Sequence, residues 1–171
     1  MLITGRDLLG GARPNAPFGD GFAAEHLASG DFLREAQLVE VHHDPVAQRL
    51  CVVLDLRGAL DFPRDDVAVI AFDHVRDYAW SGRGTGRGAA VWIAGGSRFQ
   101  RSADGHWWET VIDFGQRLIV GSQSVEIVAG QSGLLDAAPP DMCEAGHDEI
   151  HEGFPRMDTP FSATIYYVLQ A

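Results

Sequence analysis

The sequence predicts a mainly β protein, an antiparallel β-sandwich or open barrel of about eight strands. Short apolar segments with a two-residue period follow one another along the chain, and turn residues separate them. Glycine is also abundant, at 20 of 171 residues, which suits a fold with many tight turns. Because no linker-like segment interrupts this pattern, we expect a single domain over residues 1–171.

One short helix is predicted near the N-terminus. Glycine and proline residues break up the first twenty residues, which disfavours regular structure there. Asp20 can cap a helix that continues to Leu27, and Gly30 follows where that helix would end. We therefore expect this helix to precede the first strand.

A long hairpin follows the helix. Segment 37–43 has a two-residue period that places Val39, Val41 and His43 on one face. After a turn, segment 50–56 returns with leucine and valine side chains at every second position. The sequence therefore predicts two antiparallel strands with one buried side.

The remaining strands follow at similar spacing. The last one alternates regularly, so we expect it to be built into the sheet, with Phe161, Ala163, Ile165, Tyr167 and Leu169 on one face. The predicted strands after the hairpin are segments 67–72, 78–80, 90–93, 98–101, 107–114, 118–120, 125–129 and 161–169.

A long acidic loop is predicted before the last strand. The formal net charge of the chain is −11, and residues 131–160 hold seven acidic residues against one basic residue, Arg156. Clustered lysine and arginine are absent, which argues against a nucleic-acid partner. Structureless loops beyond about 15 residues are uncommon and are often functional. We therefore expect this acidic segment to carry an interaction.

The first functional hypothesis is a non-enzymatic protein that binds a basic protein partner. Exposed carboxylates attract such a partner over long distances and accelerate association. The candidate contacts in the acidic segment are Glu144, Asp148, Glu149 and Glu152. The sequence leaves the partner and the oligomeric state open.

A metal site in the same segment is an alternative. On a helix, Cys143, His147 and His151 would lie on one stripe and offer a thiolate and two imidazoles to a zinc ion. Gly146 would weaken that helix, and the metalloprotease motif that 147–151 resembles has glutamate where Asp148 stands. No other cofactor is predicted.

A small-molecule pocket, in a binding protein or a simple enzyme, is the other alternative. The interior of a β-barrel can hold a ligand among aromatic and histidine side chains. The candidate lining residues are His43, Trp92, Trp107, Trp108 and Tyr167. Trp107 and Trp108 are adjacent in a predicted strand, so we expect one in the core and the other facing outward.

The composition predicts a cytoplasmic protein that does not enter a membrane. The first residues show no basic leader followed by an apolar stretch, and no segment approaches the ~18 apolar residues of a membrane span. The two cysteines, Cys51 and Cys143, lie in dissimilar contexts, which favours free thiols in a reducing compartment.

Residues 32–75 contain an alternating strand at 37–43, an apolar strand at 50–55 and a later Phe-x-x-Val at 72–75. With this pattern they resemble the opening of several small bacterial families of unassigned function, some of which are thought to be immunity proteins of polymorphic-toxin systems. The pattern covers less than a third of the chain and defines no catalytic residue. The resemblance implies a β-rich binding protein that is acidic because its target is often basic.

Overall fold

The computed structural model describes residues 2–14, 24–81, 92–112, 115–140 and 145–170, with only the backbone of Ala24, Trp92, Ile93 and His147. These ranges contain ten strands and three short helices. The helices are α1 (Gly5–Leu9), α2 (Ala24–Ala28) and α3 (His147–Gly153). The strands are β1 (Leu2–Ile3), β2 (Gln37–Asp44), β3 (Arg49–Asp55), β4 (Val67–Asp73), β5 (Asp77–Ser81), β6 (Trp92–Ser102), β7 (Gly105–Ile112), β8 (Gln116–Ser122), β9 (Ser124–Gln131) and β10 (Phe161–Gln170).

The strands pair antiparallel throughout, in the order β1-β10-β9-β4-β3-β2-β6-β7-β8-β5. The link between β2 and β6 is short, since it consists of Gln37 opposite Ile93 and Leu38 opposite Trp92. The sheet curls at this link, and β7 and β8 contact β4, β9 and β10 across the interior. The result is a half-barrel, as the predicted mainly antiparallel class implies, with more strands than the expected eight.

The interior of the half-barrel holds an inner cluster of buried side chains. Trp108 lies at its centre, 5.5 Å from Phe72 and 6.1 Å from Phe99 between ring centroids. Leu50, Val52 and Leu54 of β3 face the same cluster. The two-residue period of segment 50–56 therefore predicted the inner face of β3 correctly.

An outer cluster covers the other face of β3, β4 and β9. Cys51 and Val53 point away from the interior and are buried under Leu8 of α1 and Met157. The expectation of a hairpin with one buried side is therefore wrong for β3, because the N-terminal segment and the segment before β10 add a second layer. Burial raises the pKa of the Cys51 thiol to about 12.

The β-bulges in β2 and β10 change which residues share a face. The register of β2 against β3 shifts between Leu38 and Glu40, so Leu38 and Val41 both face the inner cluster. In β10 the register against β9 shifts between Ala163 and Ile165. The predicted single face of β10 is accordingly wrong.

The bulge of β10 divides its predicted apolar face between the two clusters. Phe161 and Ala163 contact the outer cluster, and Ile165, Tyr167 and Leu169 contact the inner one. Thr164 lies at the shift and donates its hydroxyl to the buried Asp65 at 2.6 Å. This hydrogen bond helps to hold the irregular position.

The helices also differ from the prediction. The predicted single helix corresponds to α2, and its expected start at Asp20 lies outside the described residues. Helix α1 was not predicted, although Thr4 and Asp7 form a capping box at its start. The expected long acidic loop contains α3, so it is not irregular throughout. In the described ranges, no helix has both the length and the apolar character that crossing a membrane requires.

Candidate functional site

The acidic segment is fixed to the sheet by a buried ion pair. The side chains of Asp55 and Arg57 are 1% and 3% exposed, and Arg57 Nη2 lies 2.5 Å from Asp55 Oδ2. Arg57 also donates to the carbonyl oxygen of Ala137 at 3.0 Å and to that of Gly153 at 2.7 Å. One guanidinium therefore ties both the beginning of the segment and the end of α3 to the strand that Asp55 ends.

A second anchor holds the start of the segment. The Asp66 side chain is buried and accepts hydrogen bonds from the backbone N–H groups of Ser132, Gly133 and Leu134, at 2.6, 3.0 and 2.7 Å. Three donors compensate the carboxylate for its lost hydration. The chain that leaves β9 is consequently held against the β3–β4 connection.

The end of the segment is attached to β2. Glu40 pairs with Arg156 and accepts from the Met157 backbone N–H at 2.8 Å, and the exposed Arg6 and Asp158 pair at 2.5 Å. Burial alone would raise the pKa of Glu40, but the hydrogen bonds from Met157 and Arg156 outweigh it and the pKa lies below its usual value. The folded chain thus stabilises the ionised form of Glu40 more than the unfolded chain does.

This shift predicts a pH-dependent contribution of Glu40 to stability. Glu40→Gln is expected to lower the free energy of unfolding by about 1–3 kcal/mol at pH 7, because the charged acceptor is lost. A lowered folded-state pKa stabilises the protein above the unfolded pKa, and this stabilisation disappears as the pH falls through the folded value. Urea unfolding should show that the variant has a lower free energy of unfolding than the wild type at pH 7, and that this difference is smaller at pH 3. Equal deficits at both pH values, or a similar loss in the exposed control Glu35→Gln, would contradict this account.

Helix α3 presents the predicted partner-binding residues. Asp148, Glu149 and Glu152 are exposed, and Glu144 lies outside the described residues. The Glu149 carboxylate accepts from the Gly146 backbone N–H at 3.3 Å, which caps the helix. The three carboxylates therefore stand on a short helix whose last carbonyl group is bound by Arg57.

The predicted metal ligands are only partly described. Cys143 lies outside the described residues, and only the backbone of His147 is given. His151 is exposed and lines a cleft of about 530 Å³ together with Glu40, His42 and Arg156. Among described side chains, no group of three or more His, Cys, Asp or Glu is arranged to hold a metal ion. The zinc site stays a prediction.

The predicted pocket residues occupy different surroundings. Trp108 and Tyr167 contact the inner cluster, whereas His43 is exposed beside Tyr78 with ring centroids 5.9 Å apart. Trp107 is 36% exposed and covers Gly121, so the expected division of the two tryptophans is confirmed. Only the backbone of Trp92 is described. A ligand pocket formed by this set stays a prediction.

A further cleft, which we call the α2 cleft, was not predicted from the sequence. It has a volume of about 680 Å³ and lies between α2, the β6–β7 hairpin and the end of β10. Its lining residues are Leu27, Ala28, Phe99, Gln100, Arg101, His106, Val168, Leu169 and Gln170. The Asp104-Gly105 turn was the available signal, since a tight hairpin there places the residues that flank it opposite one another.

Comparisons with known proteins give no functional assignment. No family model matches the sequence, and no curated protein matches it. The structure is similar to a solved structure of an uncharacterised protein from Neisseria gonorrhoeae, with a TM-score of 0.35 and 8% sequence identity. The match covers 55% of this chain and 90% of that chain. It carries no argument about activity, and the resemblance to immunity-like families stays a prediction.

Proposed function

We propose that the protein is a non-enzymatic binding protein that contacts a basic protein partner through α3. The observation that carries this proposal is that α3 exposes its carboxylates while its C-terminal end is fixed to the rest of the fold. Asp148, Glu149 and Glu152 are exposed on one short helix, while buried Arg57 binds the carbonyl oxygen of Gly153 at its end. A charged surface held in one arrangement loses little conformational entropy when a partner binds.

The anchoring contacts support a binding role more than a catalytic one. The two residues after α3, Phe154 and Pro155, are buried, and the Arg57 guanidinium lies 5.7 Å from the centre of the Phe154 ring. The Arg57 guanidinium is thus used to hold the end of the helix in place. The helix presents three carboxylates to solvent beside the exposed His151, and the carboxylates suit electrostatic recognition.

The charge of the whole chain favours the same kind of partner. The formal net charge is −11, so a basic protein is attracted from a distance and an acidic one is repelled. The carboxylates of α3 would then orient the encounter. Association should accordingly be fast at low salt and slow at high salt.

We expect the triple variant Asp148→Asn, Glu149→Gln, Glu152→Gln to lose the partner. Cross-linking in cells followed by quantitative mass spectrometry should give a basic protein with the wild type and much less of it with the variant. With the purified partner, stopped-flow measurements at about 50 mM salt should show association at least tenfold slower, because steering contributes about 10–10³ in rate.

The matched control removes the same charge from another part of the surface. Asp31→Asn, Glu35→Gln, Asp104→Asn changes three exposed acidic residues outside α3 and should retain the partner. If both triple variants reduce binding equally, general charge rather than α3 is responsible. A complex that is insensitive to added salt would refute the proposal. The same holds if the α3 variant captures every protein that the wild type captures.

A further inference from the structure

We propose that the α2 cleft binds a small carboxylic acid with an apolar body, with its carboxylate at Arg101 and His106. This inference is independent of α3 and of a protein partner. It depends on two polar groups without partners among the described residues, on an apolar lining, and on a local charge opposite to that of the whole chain.

Arg101 and His106 lie together at one end of the cleft. They are directly opposite each other in the β6–β7 pair, and their side chains therefore emerge on the same face, the one that also holds Phe99 and Trp108. His106 is 5% exposed, and its Nε2 atom is buried without a hydrogen-bond partner in the part of the chain that the structure describes. Such a group costs free energy in the folded protein unless something satisfies it.

Arg101 is exposed and is available to bind a carboxylate. Its side chain forms no hydrogen bond and no ion pair with any other described residue, in contrast to Arg98 on the same strand, which pairs with Glu109 at 2.6 Å. A guanidinium can donate two parallel hydrogen bonds to one carboxylate, which fixes the orientation of the ligand. His106 lines the same cleft as Arg101.

The rest of the lining suits a hydrocarbon or aromatic body. Leu27, Ala28 and Phe99 line one part of the cleft, and Val168 and Leu169, near the end of β10, line another. The volume of about 680 Å³ is within the range of roughly 300–1,000 Å³ that is common for small-molecule sites. Apolar walls with a few convergent polar groups are typical of such sites.

Local charge separates this cleft from the rest of the surface. The chain has a formal net charge of −11, yet the lining residues that the structure describes are one arginine, one histidine, two glutamines and apolar residues, with no acidic residue among them. A carboxylate therefore meets a favourable local charge in a protein that otherwise repels anions. This contrast favours an anionic ligand over a cationic one.

Octanoate and octanol are suitable probes because they share a chain and differ in charge. Titration of isotope-labelled protein, followed by two-dimensional NMR, should shift the signals of Leu27, Phe99, Arg101 and Leu169 with octanoate. We expect Arg101→Gln to weaken octanoate about tenfold, since it removes a charge-assisted contact, and to leave octanol binding unchanged. Ala28→Trp, which fills the cleft, should weaken both probes.

Arg98→Gln is the matched control, because it removes the same charge from β6 on the outer face and should not change either affinity. The proposal would be established if octanoate causes saturable NMR shifts, and if Arg101→Gln weakens this binding while Arg98→Gln does not. Equal binding of octanoate and octanol, equal effects of the two arginine variants, or no saturable shift in the cleft would each overturn it.

Discussion

Arg57→Met is expected to lower the free energy of unfolding by about 3–5 kcal/mol, because it leaves the Asp55 carboxylate buried without its partner. The variant also removes the donors to the carbonyl oxygens of Ala137, near the beginning of the acidic segment, and of Gly153, at the end of α3. Urea unfolding followed by tryptophan fluorescence should therefore show a large decrease in the midpoint. Hydrogen exchange should also accelerate in α3 relative to β3 and β4.

The control for this variant is Arg34→Met. Arg34 is 56% exposed, and its contacts to Asp31 and Glu35 are long, at 3.7 and 3.8 Å, so its replacement should cost no more than about 1 kcal/mol. Adding Asp55→Asn to Arg57→Met should recover part of the loss, since the unpaired charge disappears. An Arg57 variant as stable as the Arg34 variant would show that the ion pair does not hold the segment.

Trp108→Ala is expected to be similarly destabilising, by about 3–5 kcal/mol, because a buried indole is replaced by a cavity. The side chain is 1% exposed and touches both Phe72 and Phe99, so it joins β7 to β4 across the interior. Removing it should weaken the contact that keeps the half-barrel curled. The measurement is again the urea midpoint, read by circular dichroism because the variant lacks a tryptophan.

Trp107→Ala is the neighbouring control. Trp107 is 36% exposed and lies over Gly121, so we expect a loss of about 1 kcal/mol or less. The two variants remove the same side chain from adjacent positions and differ only in the face of β7. Equal losses would contradict the placement of Trp108 in the inner cluster.

Much of the sheet was predictable because its strands are short and apolar and the turns between them are marked. Segments 37–43, 50–56, 67–72 and 125–129 correspond to β2, β3, β4 and β9 within a few residues. The sequence did not show that segments 90–93 and 98–101 belong to one strand, β6. The glycines at 95 and 96 lie between those segments and accompany a bulge inside the strand.

The faces of the strands were harder to predict than the strands themselves. A bulge shifts the two-residue period by one position, so one irregular residue reverses every side chain after it. In β10 this residue is Thr164, whose hydrogen bond to Asp65 joins positions far apart in sequence. No local pattern reveals such a contact, and the same is true of the layer that buries Cys51 and Val53.

The candidate sites were predictable only where charge or residue type was visible locally. The exposure of Asp148, Glu149 and Glu152 followed from the acidic composition of the segment. The anchoring role of Arg57 was not predicted, because it depends on the carbonyl groups of Ala137 and Gly153, which lie close to Arg57 only in the folded chain. Arg101 and His106 were not predicted because the expected strands, 98–101 and 107–114, do not include His106, so no pairing between the two residues was expected.

The pairing of β1 with β10 has a consequence for how the chain folds. Leu2 lies opposite Ser162 and Ile3 opposite Phe161, so the sheet edge and the outer cluster require segments from the two ends of the sequence. Closing so long a loop costs entropy before the contacts reward it, and folds of high contact order reach the native state in about milliseconds to seconds. The folding rate of this protein should therefore depend on distant pairings more than on its local hairpins.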